Sequence, residues 1–214
     1  DIDRWIETAL GGDLFVRSPV NMQPDVETRL LALDGVEAVT RSRFVSTRII
    51  TGAGDDEIAI FTAMDPETYL DVRGYRIQEG PSEEALMAEL AEGDRLVISA
   101  DAANRLDLAV GDSVLLETRR GQRPFTVSAV VLDFGGGETL NVFGAWGDLR
   151  QYFGVRDVSA FAVKLAPGAS LETVSDQIEN DIGRGQTLSV ESQQEFEEKV
   201  RSVTREAFTL FDIL

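Results

Sequence analysis

The sequence predicts an α+β fold: a split layer made of a βαββ unit and a βαβ unit, with a small β-rich module inserted between them and helices at both ends. Three observations carry this. Short runs of period-2 apolar alternation recur, separated by turn residues and single helical patterns. The run 95–131, RLVISADAANRLDLAVGDSVLLETRRGQRPFTVSAVV, reads as strand, short helix, tight turn and two hairpin strands. Both ends carry helical rather than strand spacing.

Taken in order, Ile2, Trp5, Ile6 and Ala9 follow helical spacing, and Gly11-Gly12 stops that helix. Residues 13–17 form a strand. Pro24 suits a first helical turn, Val26, Leu30 and Leu33 line one face, and Asp34-Gly35 closes the helix. Residues 36–50 read as a long strand, with 57–63 as its hairpin partner. Ser82 caps a short helix carrying Leu86 and Leu90, which Gly93 ends. In the 95–131 run, Ser99 caps a helix reaching Leu106, Gly111-Asp112 turns into strand 113–118, and 119–123 connects to a strand with Phe125, Val127, Ala129 and Val131 on one face. Residues 133–141 form a glycine-rich loop, and 143–153 an apolar, partly helical stretch. A strand at 161–165 precedes a helix capped by Ser170, with Leu171, Val174, Ile178 and Ile182 on one face, and a short strand at 187–190. Ser192-Gln193-Gln194-Glu195 is a capping box. After it, Phe196, Val200, Val203, Ala207, Phe211 and Leu214 recur at near-heptad spacing. This stripe and the first helical pattern are expected to pair as a stalk that continues beyond both ends of the sequence.

Composition excludes several chemistries. There is no cysteine and no histidine, so thiol nucleophiles, thiolate metal sites and a Ser-His-Asp triad are impossible within this chain. With 38 acids against 20 basic residues, the net charge is −18, which repels nucleic acid and, at a distance, anionic membranes. The acidity is concentrated in 55–94, with twelve acids and two arginines, whereas 95–150 is nearly neutral. No apolar run of about 18 residues is present, so no segment of the sequence reads as a membrane span.

Two motifs invite functional readings. Gly135-Gly136-Gly137 lacks the Gly-Lys-Ser/Thr of a phosphate loop, and no lysine occurs before Lys164. With Phe134, Phe143 and Trp146 the segment is instead a candidate partner-contact loop, against the plainer reading of Trp146 as core. The acids Asp55, Asp56, Glu57, Glu83 and Glu84 lack calcium-loop spacing and read as a solvated face. No cofactor, metal or catalytic residue is expected.

The order of motifs in 95–131 is similar to the insert module in the extracytoplasmic domains of FtsX-like permeases, which include MacB-type and lipoprotein-releasing ABC transporters. The matching pieces are Arg105-Leu106-Asp107-Leu108, Val110-Gly111-Asp112-Ser113-Val114 and Phe125-Thr126-Val127. Flanking segments agree: GGDLFV at 11–16 resembles the first strand after a membrane helix, DGVEAVT at 34–40 the strand after the first helix, and 200–214 the approach to the next membrane helix. The resemblance implies a porter-like α/β subdomain of residues 1–64 and 158–214, bearing the stalk helices, with 65–157 as the inserted module. It also implies a non-catalytic domain on the extracytoplasmic side of a membrane protein. Its partners would be the membrane-spanning remainder of the permease, a separate cytoplasmic ATPase, and a substrate or extracytoplasmic protein. The competing expectations are a free-standing acidic extracellular binding module and a hydrolase that uses carboxylates alone.

Overall fold

A computed structural model describes residues 11–51, 56–132, 139–183, 188–196 and 198. The elements are β1 (Leu14–Met22), α1 (Asp25–Leu31), β2 (Val36–Ile50), β3 (Glu57–Met64), α2 (Tyr69–Val72), β4 (Ile77–Glu79), α3 (Glu83–Glu92), β5 (Arg95–Ser99), α4 (Ala100–Leu106), β6 (Ser113–Thr118), β7 (Gly121–Val131), β8 (Leu140–Ala145), α5 (Trp146–Asp148), β9 (Val158–Leu165), α6 (Leu171–Gln177) and β10 (Ser189–Ser192). Helices α5 and α6 each run on into a π-helical turn, Leu149–Phe153 and Ile178–Ile182.

The short helices start where their sequences supply an acceptor. Ser82, Ser99 and Ser170 accept the backbone N–H of Ala85, Ala102 and Thr173, which satisfies one of the free amides of each first turn. The capping box forms as expected: Ser192 Oγ accepts the Glu195 N–H at 3.2 Å, and the Glu195 carboxylate accepts the Ser192 N–H at 2.7 Å. Helix α1 buries Val26 and Leu30, and α6 buries Val174, on the face predicted for each. Leu171, assigned to that face of α6, lies in the first turn and is 42% exposed.

Among the described residues, all ten strands join one mixed sheet in the order β10-β1-β9-β2-β3-β8-β5-β7-β4, and β6 bridges β2 and β7. The β3–β8 and β5–β7 pairs are parallel and the rest antiparallel. The pairings β2–β3, β3–β8, β8–β5, β5–β7, β7–β6 and β6–β2 close a six-stranded ring. Its strands come from both sides of residue 64, because the 15-residue β2 reaches from β9 at its start to β6 at its end.

Several boundaries differ from the sequence reading: β9 begins three residues earlier, at Val158, and β10 is Ser189–Ser192 rather than 187–190. Strand β1 runs on to Met22, and Pro19 falls where its register with β9 is interrupted, so its missing N–H breaks no ladder bond. Residues 140–145 form a strand, and helix begins only at Trp146. An apolar run that short does not separate strand from buried helix, and a parallel strand covered on both faces loses alternation. The 6/7 hairpin is tighter than expected, with only Arg119 and Arg120 between the paired Thr118 and Gly121. Edge strand β4 is three residues long, too short to show a period.

The main core lies inside the ring and continues under α1 and α6. Phe61 is fully buried, with ring centres 4.9 Å from Phe153 and 6.2 Å from Phe125. Gly144 on β8 admits it: a Cβ there would stand 2.5 Å from the Phe61 ring. On the opposite face, α2 and α3 bury a second cluster, including Tyr69, Tyr75, Leu86, Leu90, Val97 and Ala145. A third, smaller cluster joins Phe15, Val72 and Ala162, with Phe196 packed against it.

Candidate functional site

Alternation on β2 places Arg41 and Arg43 on the same face as Val39, Val45 and Ile49, so both guanidinia need partners where the strand is covered. They find them on distant segments. Arg41 bonds Asp65 at 2.6 Å, lies 3.3 Å from Glu27, and stacks 4.6 Å above the Trp146 ring. Arg43 bonds Asp157 at 3.0 Å. Burial raises the pKa of Glu27, and Arg41 opposes that shift.

Of these residues, Arg41, Asp65 and Trp146 line an open cleft of about 630 Å³. One side is the loop around Asp65 and Glu67 together with the end of α3 at Glu92-Gly93, and another is α5 with Arg150 and Arg156. The volume falls in the range of small-molecule sites, but the lining is polar rather than apolar.

Asp148 anchors the α3 end. Its carboxylate is 3% exposed, and both oxygens accept the Asp94 backbone N–H at 3.2 Å. Asp94 holds a positive φ of 57°, and its own carboxylate accepts the Tyr152 hydroxyl at 2.5 Å. Gly93 completes the contact, since a Cβ there would sit 3.1 Å from Asp148 Oδ1. Burial pushes the Asp148 pKa up to about 6, against the stabilising Asp94 N–H.

The cleft's carboxylates are already engaged in structure: Asp65 by Arg41 and Asp148 by the Asp94 amide, which leaves Glu67 and Glu92 at the rim. Among the described residues, no group of three metal-ligating side chains comes together. The arrangement presents both signs of charge to a partner or solute and pairs no nucleophile with a base.

Of the predicted contact residues, Trp146 is 5% exposed beneath Arg41, where it serves as core and cleft floor at once. Phe143 is partly buried, with its ring 5.8 Å from Tyr75. Phe134, Gly135, Gly136 and Gly137 lie outside the described residues. So do Ile2, Trp5, Ile6, Val200, Val203, Ala207 and Phe211 of the expected stalk; Phe196 is described, and packs 5.4 Å from Phe15. The sequence reading missed Arg41, Asp65 and Asp148. A legible signal existed only for Arg41, a charge at an inward strand position.

The α+β fold, taken with the family match, gives the class: the domain that ABC-transporter permeases carry outside the membrane. The chain belongs to the MacB-like periplasmic core domain family, which it matches over residues 5–181. It is similar to the periplasmic region of MacB from Actinobacillus actinomycetemcomitans, with a TM-score of 0.66, 13% identity, and coverage of 89% of this chain and 92% of that one. The extracellular domain of the noncanonic ABC-type transporter YknZ from Gram-positive bacteria aligns with a TM-score of 0.62 at 17% identity, covering 85% of this chain and 99% of that one. A domain of a putative permease from Porphyromonas gingivalis aligns at 0.53 and 17% identity, covering 84% and 87%. Comparison with curated proteins finds no match. Among the described residues no helix is long and apolar enough to cross a membrane.

Proposed function

We propose that this chain is the non-catalytic, extracytoplasmic domain of an FtsX-like ABC permease, and that it passes motion from a cytoplasmic ATPase to a substrate or partner outside the membrane. Family membership carries the reading. In it, residues 1–64 and 158–214 form the porter-like layer and 65–157 the inserted module, with the far half of the β2–β3 hairpin shared through the ring. The terminal helices, Ile2, Trp5 and Ile6 against Phe196, Val200, Val203, Ala207 and Phe211, form the stalk toward membrane segments. The ring of strands joins the proposed module to the layer, so a displacement of either is passed to the other. The cleft, the loop Phe134–Gly137 and Phe143 supply the contact surface.

The stalk is testable in the parent permease. The chain has no cysteine, so with cysteines elsewhere in the permease replaced, those introduced at Ile6 and Val203 take the spin labels. Helices packed at about 10 Å place the two labels well within roughly 30 Å of each other. A separation beyond that distance removes the stalk, and apolar segments absent from both flanks in the parent reading frame remove the permease assignment.

A further inference from the structure

Three half-buried arginines meet carboxylates closely: Arg41 at 2.6 Å, Arg105 at 2.9 Å and Arg43 at 3.0 Å. Arg73, at the end of α2, does not. Among the described residues it has no ion-pair partner, and its Nε is buried without an acceptor. Its guanidinium lies 5.3 Å from the Phe15 ring centre. Tyr69 and Tyr75 flank it, Arg17 adds a like charge, and burial pulls its pKa below the ordinary arginine value. Arg17 in turn lies 4.9 Å from the centre of the Phe196 ring, which packs 5.4 Å from Phe15. Its carboxylate contact, Glu191, is loose at 3.6 Å, and its side chain is 42% exposed.

A buried guanidinium beside a like charge is costly unless an anion meets it. Acids are not scarce in a chain with 38 of them, yet among the described residues none meets Arg73. We infer that Arg73 and Arg17, on their platform of Phe15 and Phe196, bind a phosphate-bearing anion. Guanidinium forks match phosphate oxygens bidentately, and the aromatic platform holds both planes in place. The source is a phospholipid headgroup or free phosphate. The headgroup is favoured by the proposed stalk, since the site lies where β1 begins and the Ser192 capping box starts the last helix. The anion site itself does not depend on that reading.

The net charge of −18 repels anionic vesicles, so the probes are inorganic phosphate and monomeric dihexanoyl-phosphatidylglycerol, added to the ¹⁵N-labelled 214-residue chain. The expected result is a saturable shift of one arginine Nε–H signal, assigned to Arg73 by its loss in Arg73→Gln, with affinity at least tenfold weaker in Arg17→Gln. Tighter binding of the lipid identifies a headgroup site; equal or tighter binding of phosphate leaves the anion site and overturns the lipid source. No saturable shift with either probe, or unchanged affinity in Arg17→Gln, overturns the proposal. The spin-label distance at Ile6 and Val203 is read separately, so failure of the stalk is not mistaken for failure of this site.

Discussion

Phe61→Ala is expected to lower unfolding stability by about 3–5 kcal/mol, the usual cost of emptying a buried aromatic site. Phe61 is the ring that fills the barrel, fully buried between Phe125 and Phe153. The cavity collapses poorly because strands closed into a ring do not move inward independently. Gly144 beneath the ring adds no side chain that would relax into the space. Urea unfolding with an unchanged m-value reads the difference directly. A loss under about 1 kcal/mol would mean that the ring of strands is not a packed core.

Asp148→Asn is expected to change the pH dependence of stability. The folded-state pKa is raised to about 6 from 3.8. The folded state therefore holds this proton more tightly than the unfolded chain, so the group favours folding below about pH 4 and loses that contribution as pH rises through 6. A rise of about two pKa units corresponds to roughly 3 kcal/mol. Asparagine retains an oxygen for the Asp94 N–H without burying a charge. Relative to the native chain, the variant therefore gains stability between pH 4 and pH 8, by on the order of 2–3 kcal/mol. Denaturation at both pH values checks this, and a difference that stays flat with pH contradicts a carboxylate ionised while buried.

Local features of the fold were readable because their physics is local. Each serine cap lies three residues before the amide it accepts, and the capping box is complete within four residues. The apolar faces of α1 and β7 follow from a fixed period. Pairings between distant segments were not readable: nothing near Leu140 announces that it lies beside Ala59, or that Leu116 crosses to Ile49. The cleft suffers the same limit. Arg41 finds Asp65 24 residues away, and Asp148 finds the Asp94 amide 54 residues away. Trp146 stood out by its type, but its role depends on an arginine more than a hundred positions earlier. The family resemblance was legible in the order of motifs across 95–131, and the family match over 5–181 agrees with it.

The central claim is that this domain moves in response to an ATPase on the other side of a membrane. Spin labels at Glu84 on α3 and Leu171 on α6, both exposed, report the proposed inserted module against the proposed porter-like layer. They are best measured in the intact permease with its ATPase, in nanodiscs, both nucleotide-free and trapped with ATP. The account predicts two distinct distance distributions that interconvert with the nucleotide state. Superimposable distributions, in a complex that hydrolyses ATP, would contradict it.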